Sequence, residues 1–456
     1  MNRVATRALA VLLLVAVLVG GLGFFLWEYT TQASAWIVFP GSPHVYTGNN
    51  IDCGVVTDAN GTLLLDMRQD RTYSSDALLR TSTVHWLGDR HGFVEAPALS
   101  HYAAEMAGYS LVNGVYAYGE TAGVARLTLL AEAQKAALEA MGDYKGTVAV
   151  YNYKTGQILC AVSTPAYDPD NVPDLEADTT GTYEGMYLNR FTQSVYIPGS
   201  IFKVVTLAAA LQEIPDLQQQ SFTCTGAYEM GVDKITCERA HGTQNVKDAF
   251  ANSCNCAFAQ ISEQLGGETL AKYVEEMGIT ESQTFDGITT AAGNFQVDNT
   301  PVNVAWSAIG QYLDQINPCA FLTYMGAIAG GGVGVEPYLV ENITVGNTTT
   351  YQASTHQTER IMDAQTAKAV QEFLRNNVET RYGPGNFGSL RVCAKTGTAE
   401  VGGDRKPNAM LSGFTTDEDY PFAFIVCVED GGYGASTCIP IATQVLEACK
   451  QAIDQK

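Results

Sequence analysis

The chain has 456 residues, 46% of them hydrophobic, and 26 basic against 48 acidic residues give a formal charge of −22. That is roughly three domains' worth at about 150 residues each, and the acidic excess argues against nucleic acid as a partner, because phosphate binding needs a basic surplus. The apolar content excludes global disorder, and 44 glycines with 15 prolines in no Gly-x-y repeat exclude a collagen-like chain.

From Ala8 to Trp27 there are 20 residues without a charge. An α-helix of that length covers about 30 Å, the hydrocarbon thickness of a bilayer. Arg3 and Arg7 precede the run and Glu28 follows it. By the positive-inside rule the N-terminus then stays in the cytoplasm and the rest of the chain lies outside. A cleaved signal peptide is the rival, with Ala33-Ser34-Ala35 as an A-x-A site. Its apolar region would run only about 7–15 residues, so an uncleaved single-pass anchor over residues 1–30 is expected.

Residues 31–125 read as short strands and turns, a small, mainly-β, non-catalytic module. Gly54–Thr57 and Thr62–Leu65 flank an Asn60-Gly61 turn in a hairpin pattern. A helical stretch follows from Leu127 to Met141. Strand-like runs come next at Gly146–Tyr151 and Gln157–Val162, joined through Lys154-Thr155-Gly156, and then a loop from Thr164 to Asp178. Strand signals return at Leu390–Ala394, Ala409–Thr415 and Phe422–Glu429, and a helix over Ile439–Ile453 closes the chain. Two strands early and three late, with helices between, imply one α+β domain over 126–456 whose sheet is closed by both ends.

Eleven cysteines are an odd number, so at least one is unpaired in the monomer. Cys224, Cys237, His241 and the Cys254-x-Cys256 pair can be read as a metal site, but no second C-x-x-C or H-x-x-x-H half accompanies them. In an extracytoplasmic protein a Cys224–Cys237 disulfide is the favoured use.

Three short segments carry chemistry. Pro198-Gly199 breaks the chain and a helix is predicted from Ser200, apolar nearly all round except for Lys203. A buried lysine loses its proton readily, and a neutral lysine three residues from a serine is a general base beside a nucleophile. The helix N-terminus adds N–H groups suited to an oxyanion. With 19 serines and 12 lysines, S-x-x-K arises by chance about 0.5 times in such a chain, so the pair alone decides nothing. Ser253-Cys254-Asn255 is the only S-x-N; its hydroxyl and amide can relay a proton and hold a substrate amide, while the bland reading is an ordinary turn. Lys395-Thr396-Gly397-Thr398-Ala399-Glu400 follows a strand, and an edge strand with glycine can offer its backbone to an extended substrate. Lys154-Thr155-Gly156 also spells K-T-G, but a hairpin turn accounts for it.

S-x-x-K, S-x-N and K-T-G in that order resemble the penicillin-recognising serine enzymes. Pro198-Gly-Ser-Ile-Phe-Lys203, Ile309-Gly310-Gln311 and Lys395–Glu400 are similar to segments of the penicillin-binding transpeptidase domain, as are Gly146–Val150 and Ser163–Pro169. The resemblance covers about 126–456. Before it, Cys53-Gly-Val-Val-Thr-Asp58-Ala-Asn-Gly61 is similar to the class B pedestal stretch without its arginines. The chain thus resembles a short, A-type, monofunctional class B penicillin-binding protein.

That resemblance implies a five-stranded antiparallel sheet with helices on both faces, behind a single anchor and a pedestal. It implies peptidoglycan stem peptides ending in D-Ala-D-Ala as substrate, and β-lactam antibiotics as covalent inhibitors. Ser200 would attack with Lys203 as base, and Ser253 would pass a proton to the leaving amine. Asn255 would hold the donor peptide amide. Lys395 would supply positive field, Thr396 and Thr398 would bind the terminal carboxylate, and Gly397 belongs to the same substrate-binding strand. The N–H groups of Ser200 and Thr398 would form the oxyanion hole. No metal or organic cofactor is required, and a SEDS-family glycan polymerase is the expected membrane partner. Rivals with the same motifs are a D,D-carboxypeptidase or a serine β-lactamase; a β-lactam sensor or non-catalytic cell-wall scaffold is the rival of another class.

Overall fold

The computed structural model describes residues 2–39, 42, 45–47, 50–68, 70–108, 122–297 and 300–455. The charge-free N-terminal run lies inside one helix, Asn2–Ile37, and its segment Arg3–Ala33 is long and apolar enough to cross a membrane. Its leucines and valines stand clear of the protein, Leu18 at 73% exposure. Exposed apolar side chains on this scale suit a hydrocarbon surround rather than water.

The sheet expected from the two chain ends is present. Its strands run in the order Val392–Ala399, Asn408–Thr415, Phe422–Val428, Gly146–Asn152 and Ile158–Thr164, each antiparallel to its neighbour. All eight residues of Asn408–Thr415 are buried, as a strand covered on both faces requires. The pleat sends alternate side chains to opposite faces. Val148, Val150, Leu411 and Phe424 join a core with the helices Ala131–Met141 and Gly434–Asp454. Ala149, Tyr151, Met410 and Ile425 join a second core with the helix Pro318–Ala329.

Two expectations for the N-terminal half need correction. The stretch Leu127–Met141 is not one helix: Val124–Leu127 is a strand and the helix begins at Ala131. Leu127 pairs with Val340 across a sheet, and that pairing with its burial outweighs local helical periodicity. Residues 31–125 are also not purely strands and turns. Beside the expected hairpin, Val55–Thr57 against Leu63–Asp66, they hold the helices Ala77–Leu87, Pro97–His101 and Ala103–Ala107. Asp76 starts the first of these by accepting the Leu78 and Leu79 N–H groups. Residues 109–121 lie outside the described residues.

The hairpin belongs to a six-stranded sheet that also contains Val124–Leu127, Val340–Val345 and Thr348–Gln352. The N-terminal module is therefore woven into the body through a shared sheet. Asp58 tightens the weave. One of its carboxylate oxygens accepts the Asn60 and Thr62 N–H groups, at 2.9 and 2.7 Å, and the other accepts Ala131 N–H at 3.0 Å, capping the helix across the junction. Asp58 is buried, so Asp58→Ala strands three donors, at about 1–3 kcal/mol for each that water does not reach. Thermal unfolding of Asp58→Ala is expected to come several degrees earlier. An unchanged melting temperature refutes the capping role.

Candidate active site

The turn before Lys203 is shaped by close backbone approaches. Gly199 has φ +53°, and a Cβ there would lie 2.7 Å from the Thr398 carbonyl oxygen. Gly310, at φ +77°, leaves no room for a Cβ against the Gly199 carbonyl, and the Gly199 N–H donates to the Gly310 carbonyl at 2.8 Å. Only glycine accepts both the positive φ and the contact. Ser200 sits in a 3-10 turn, Gly199–Ile201, and the α-helix proper runs Lys203–Glu213. The predicted helix thus starts one turn later than expected, because the chain is still pinned to Gly310 and Thr398.

Five of the predicted residues meet in one network. The Lys203 amine, fully buried, lies 2.7 Å from Ser200 Oγ and 2.7 Å from Asn255 Oδ1. It also reaches the Ser253 carbonyl at 3.1 Å and Ser253 Oγ at 3.3 Å. The Lys395 amine donates to the same Ser253 Oγ at 3.0 Å and to the Thr396 carbonyl at 2.9 Å. Ser253 has φ +54°, a left-handed conformation that costs a non-glycine residue roughly 1–2 kcal/mol. It turns the chain between the helices Val246–Ala251 and Asn255–Leu265 and aims its carbonyl and hydroxyl at Lys203 together.

Burial dominates the electrostatics. It pulls Lys203 down from an ordinary lysine to about 8, so the charged form is disfavoured by about 3 kcal/mol. Lys395 is held well below the usual lysine range, by burial first and by the charge of Lys203 second. Aromatic faces line both amines, Phe258 at 5.8 Å from Lys203 Nζ and Phe250 at 5.9 Å from Lys395 Nζ. Two amines in one dry pocket cannot both be fully protonated without a counter-charge. Among the described residues no carboxylate hydrogen-bonds to either.

Thr396, Gly397 and Thr398 continue along Val392–Ala399, which is an edge of the sheet. A Cβ on Gly397 would lie 2.9 Å from the Pro198 carbonyl. The Thr398 hydroxyl accepts the Gly434 N–H at 3.4 Å. Thr396 is engaged away from the lysines: its N–H and hydroxyl donate to Tyr382 Oη at 3.1 and 3.0 Å. Tyr382 was not legible in the sequence, since it lies in a π-helical turn, Val378–Tyr382, with no motif around it. Asn255 has a second anchor of the same unsignalled kind, its Nδ2 donating to the Thr236 carbonyl at 2.9 Å. The second K-T-G copy behaves as expected. Lys154 is exposed in the turn joining Gly146–Asn152 to Ile158–Thr164, and two strands separate that hairpin from Val392–Ala399.

The expected Cys224–Cys237 disulfide does not form, and all eleven cysteines are free thiols. Cys224 Sγ and Cys237 Sγ instead flank His241 Nδ1, at 3.6 and 3.5 Å. Together with Cys254 they form a group whose donor atoms all lie within 4.8 Å of one another, directly behind the Ser253-Cys254-Asn255 turn.

Comparison with known proteins identifies the family. The family model for the penicillin binding protein transpeptidase domain matches residues 146–447. Peptidoglycan D,D-transpeptidase PbpA of Mycolicibacterium smegmatis is 29% identical over 350 residues, spanning 70% of this chain and 71% of that protein. Stage V sporulation protein D of Bacillus subtilis is 29% identical over 319 residues, 66% of this chain and 48% of that one. Among solved structures, penicillin-binding protein A from M. tuberculosis, as a ceftriaxone acyl-enzyme complex, aligns with a TM-score of 0.76 at 24% identity, over 87% of this chain and 98% of that one. Fold, motif order and family match agree: the chain belongs to the penicillin-binding protein transpeptidase family, of the class B kind.

Proposed function

We propose that this chain is a membrane-anchored peptidoglycan D,D-transpeptidase that cross-links glycan strands through a Ser200 acyl-enzyme. The observation that carries the reading is the buried Lys203 amine, 2.7 Å from Ser200 Oγ and linked through Ser253 to Lys395. Neutral Lys203 takes the Ser200 proton as Oγ attacks the penultimate D-Ala carbonyl of a stem peptide. The backbone N–H groups of Ser200 and Thr398 receive the developing oxyanion. Ser253, between the two amines, passes a proton to the leaving D-Ala nitrogen. Asn255 keeps one lone pair on Oδ1 and one N–H on Nδ2 for the donor peptide amide. The amine of a neighbouring stem peptide then takes the acyl group from Ser200, which forms the cross-link and frees the serine.

The incoming carboxylate also settles the protonation problem. Beside Lys395, with the hydroxyls of Thr396 and Thr398 to hold it, an anion favours the charged form of Lys395. A charged Lys395 in turn keeps Lys203 neutral. Base activation is thereby tied to substrate arrival.

The proposed organisation is a cytoplasmic stub and anchor over 1–30, a pedestal over 31–125 and the transpeptidase domain over 126–456. Arg3 and Arg7 ahead of the apolar run support a cytoplasmic N-terminus and an extracytoplasmic catalytic domain. A SEDS-family glycan polymerase is the proposed partner, met by the helix and pedestal.

Labelled penicillin should attach to Ser200 alone, and Ser200→Ala should lose all label; label retained in that variant removes Ser200 as nucleophile. Long-lived acyl-enzyme with cross-linked product separates the transpeptidase from a β-lactamase, which would deacylate quickly, and from a D,D-carboxypeptidase, which would release only shortened stem peptide. A sensor or scaffold would show no stem-peptide turnover.

Lys203 acts in its neutral form, so the rate of penicillin acylation should climb through pH 6 to 8 and level off above. About one-tenth of the amine is neutral at pH 7 if it titrates near 8. Lys203→Arg should be slower by orders of magnitude at every pH in that range, because guanidinium does not deprotonate. A flat profile contradicts Lys203 as the base.

Tyr382→Phe removes the oxygen that steers Thr396. Acylation by penicillin should fall several-fold, with the loss in apparent affinity rather than in the limiting rate. A loss confined to the limiting rate would speak against carboxylate positioning.

Exchange of residues 1–30 for an unrelated single-pass helix of the same orientation should leave acylation intact while co-purification with the polymerase and cross-linking in cells fall. Retention of both would reduce the segment to an anchor.

A further inference from the structure

The four donors behind the Ser253 turn come from three separate places in the chain. Cys224 ends the strand Ser221–Cys224, and Cys237 follows Asp233–Thr236. His241 precedes Gly242–Asn245, and Cys254 is the residue before the helix Asn255–Leu265. The strands form two small hairpin ladders, Ser221–Cys224 with Gly242–Asn245 and Ala227–Met230 with Asp233–Thr236. Between residues 225 and 243 only Met230 and Ile235 are buried side chains. An excursion with so little core needs a staple to hold a single position.

The distances fit a tetrahedral metal. Zinc at about 2.3 Å from sulfur and about 2.1 Å from nitrogen gives tetrahedral edges near 3.6 Å between S and N and near 3.8 Å between two S atoms. His241 Nδ1 lies 3.6 and 3.5 Å from Cys224 Sγ and Cys237 Sγ, and Cys237 Sγ lies 4.0 Å from Cys254 Sγ. The N–H groups of Asn255 and Cys256 face the Cys237 sulfur, as donors around a metal thiolate do. A disulfide between any two of the thiols would use neither the imidazole nor the third sulfur.

We infer that Cys224, Cys237, His241 and Cys254 bind one structural zinc ion, which fastens the 221–245 hairpins to the back of the catalytic Ser253-Cys254-Asn255 turn. Two of the ligands adjoin the anchors of Asn255. Cys254 precedes it in the chain, and Cys237 follows Thr236, whose carbonyl takes the Asn255 side-chain N–H at 2.9 Å. The ion touches no substrate. It positions Ser253 and Asn255 against Lys203, and this part of the inference rests on the catalytic reading above, whereas the metal site stands without it.

The test uses the full chain, purified in detergent without added metal or chelator. Elemental analysis should find about one zinc per chain. Replacement of zinc by cobalt should give visible d–d bands and a near-ultraviolet thiolate-to-cobalt charge-transfer band, signatures of tetrahedral sulfur ligation. Cys224→Ser with His241→Ala should abolish both. Should that variant fail to fold, alkylation of the parent protein decides instead: Cys224, Cys237 and Cys254 should be protected as purified and modified after chelation. Removal of zinc from the parent should also lower the melting temperature and slow penicillin acylation about tenfold, with recovery on adding zinc but not magnesium. Only traces of zinc, or a Cys237–Cys254 disulfide in a non-reducing peptide map, would overturn the metal site. Stoichiometric zinc whose removal leaves acylation unchanged would overturn the positioning role, and failure of Ser200 labelling would bear on the proposed function alone.

Discussion

Desolvation of the Lys203 amine is the constraint on which the rest of the site depends. An isolated buried ammonium is costly, so the surroundings either neutralise it or crowd it with acceptors. Here they do both. Ser200 Oγ, Asn255 Oδ1 and two oxygens of Ser253 take its hydrogen-bonding capacity, and burial brings its titration to about 8. An exposed lysine would stay charged and useless as a base near neutral pH; an unpartnered one would destabilise the fold. The geometry therefore leaves little freedom for Ser253, whose left-handed conformation presents carbonyl and hydroxyl to one amine.

That demand propagates into the sheet. Lys395 must approach Ser253 from a different part of the chain, and it does so from an edge strand pinned by seven further register pairs to Asn408–Thr415. Gly199, Gly310 and Gly397 are the contact points at which the nucleophile turn, the Ile309-Gly310-Gln311 segment and the edge strand touch backbone to backbone. A side chain at any of them would push the Ser200 turn off the strand that carries Lys395. Sheet, turn and helix are thus one rigid frame, which suits a reaction that needs its groups placed to fractions of an ångström.

The parts of this frame legible in the sequence were those with a local or motif signature. Four strands of the main sheet and the closing helix announced themselves by apolar runs between turn residues. The fifth reads as ending at Ala394, but its pairing with Asn408–Thr415 carries it through Lys395-Thr396-Gly397 to Ala399. Ser200, Lys203, Ser253, Asn255 and Lys395 announced themselves only through the order of three motifs and the family that order resembles, and the structure brings those five together. Helix boundaries were less legible where tertiary contacts decide them. Leu127 reads as helical by period, yet it is a strand residue because Val340, far along the chain, pairs with it. The helices within 77–107 were missed since their apolar residues serve a core shared with other segments. Tyr382 and the Thr236 carbonyl carry no sequence signal at all, because their roles arise from where a π-helical turn and a short strand happen to end. The cysteines invited a disulfide from compartment logic, and only the placement of His241 between two of the sulfurs changes that reading.

Two lysines in one pocket look redundant until the substrate is considered. Either could serve as base once neutral, and the charge of Lys203 adds to burial in holding Lys395 down. What breaks the symmetry is their surroundings. Lys203 faces three oxygen-bearing side chains on the Ser200 side, whereas Lys395 faces the edge strand and the threonines, where a carboxylate can sit. On the proposed reading, an anionic ligand stabilises charge on Lys395 alone and withdraws it from Lys203. D-Ala-D-Ala termini and penicillins share this carboxylate at a similar distance from the scissile carbonyl. The feature that makes the site selective for its substrate is then also the one that admits the inhibitor, and weakening carboxylate recognition to escape the drug would cost the base its activation.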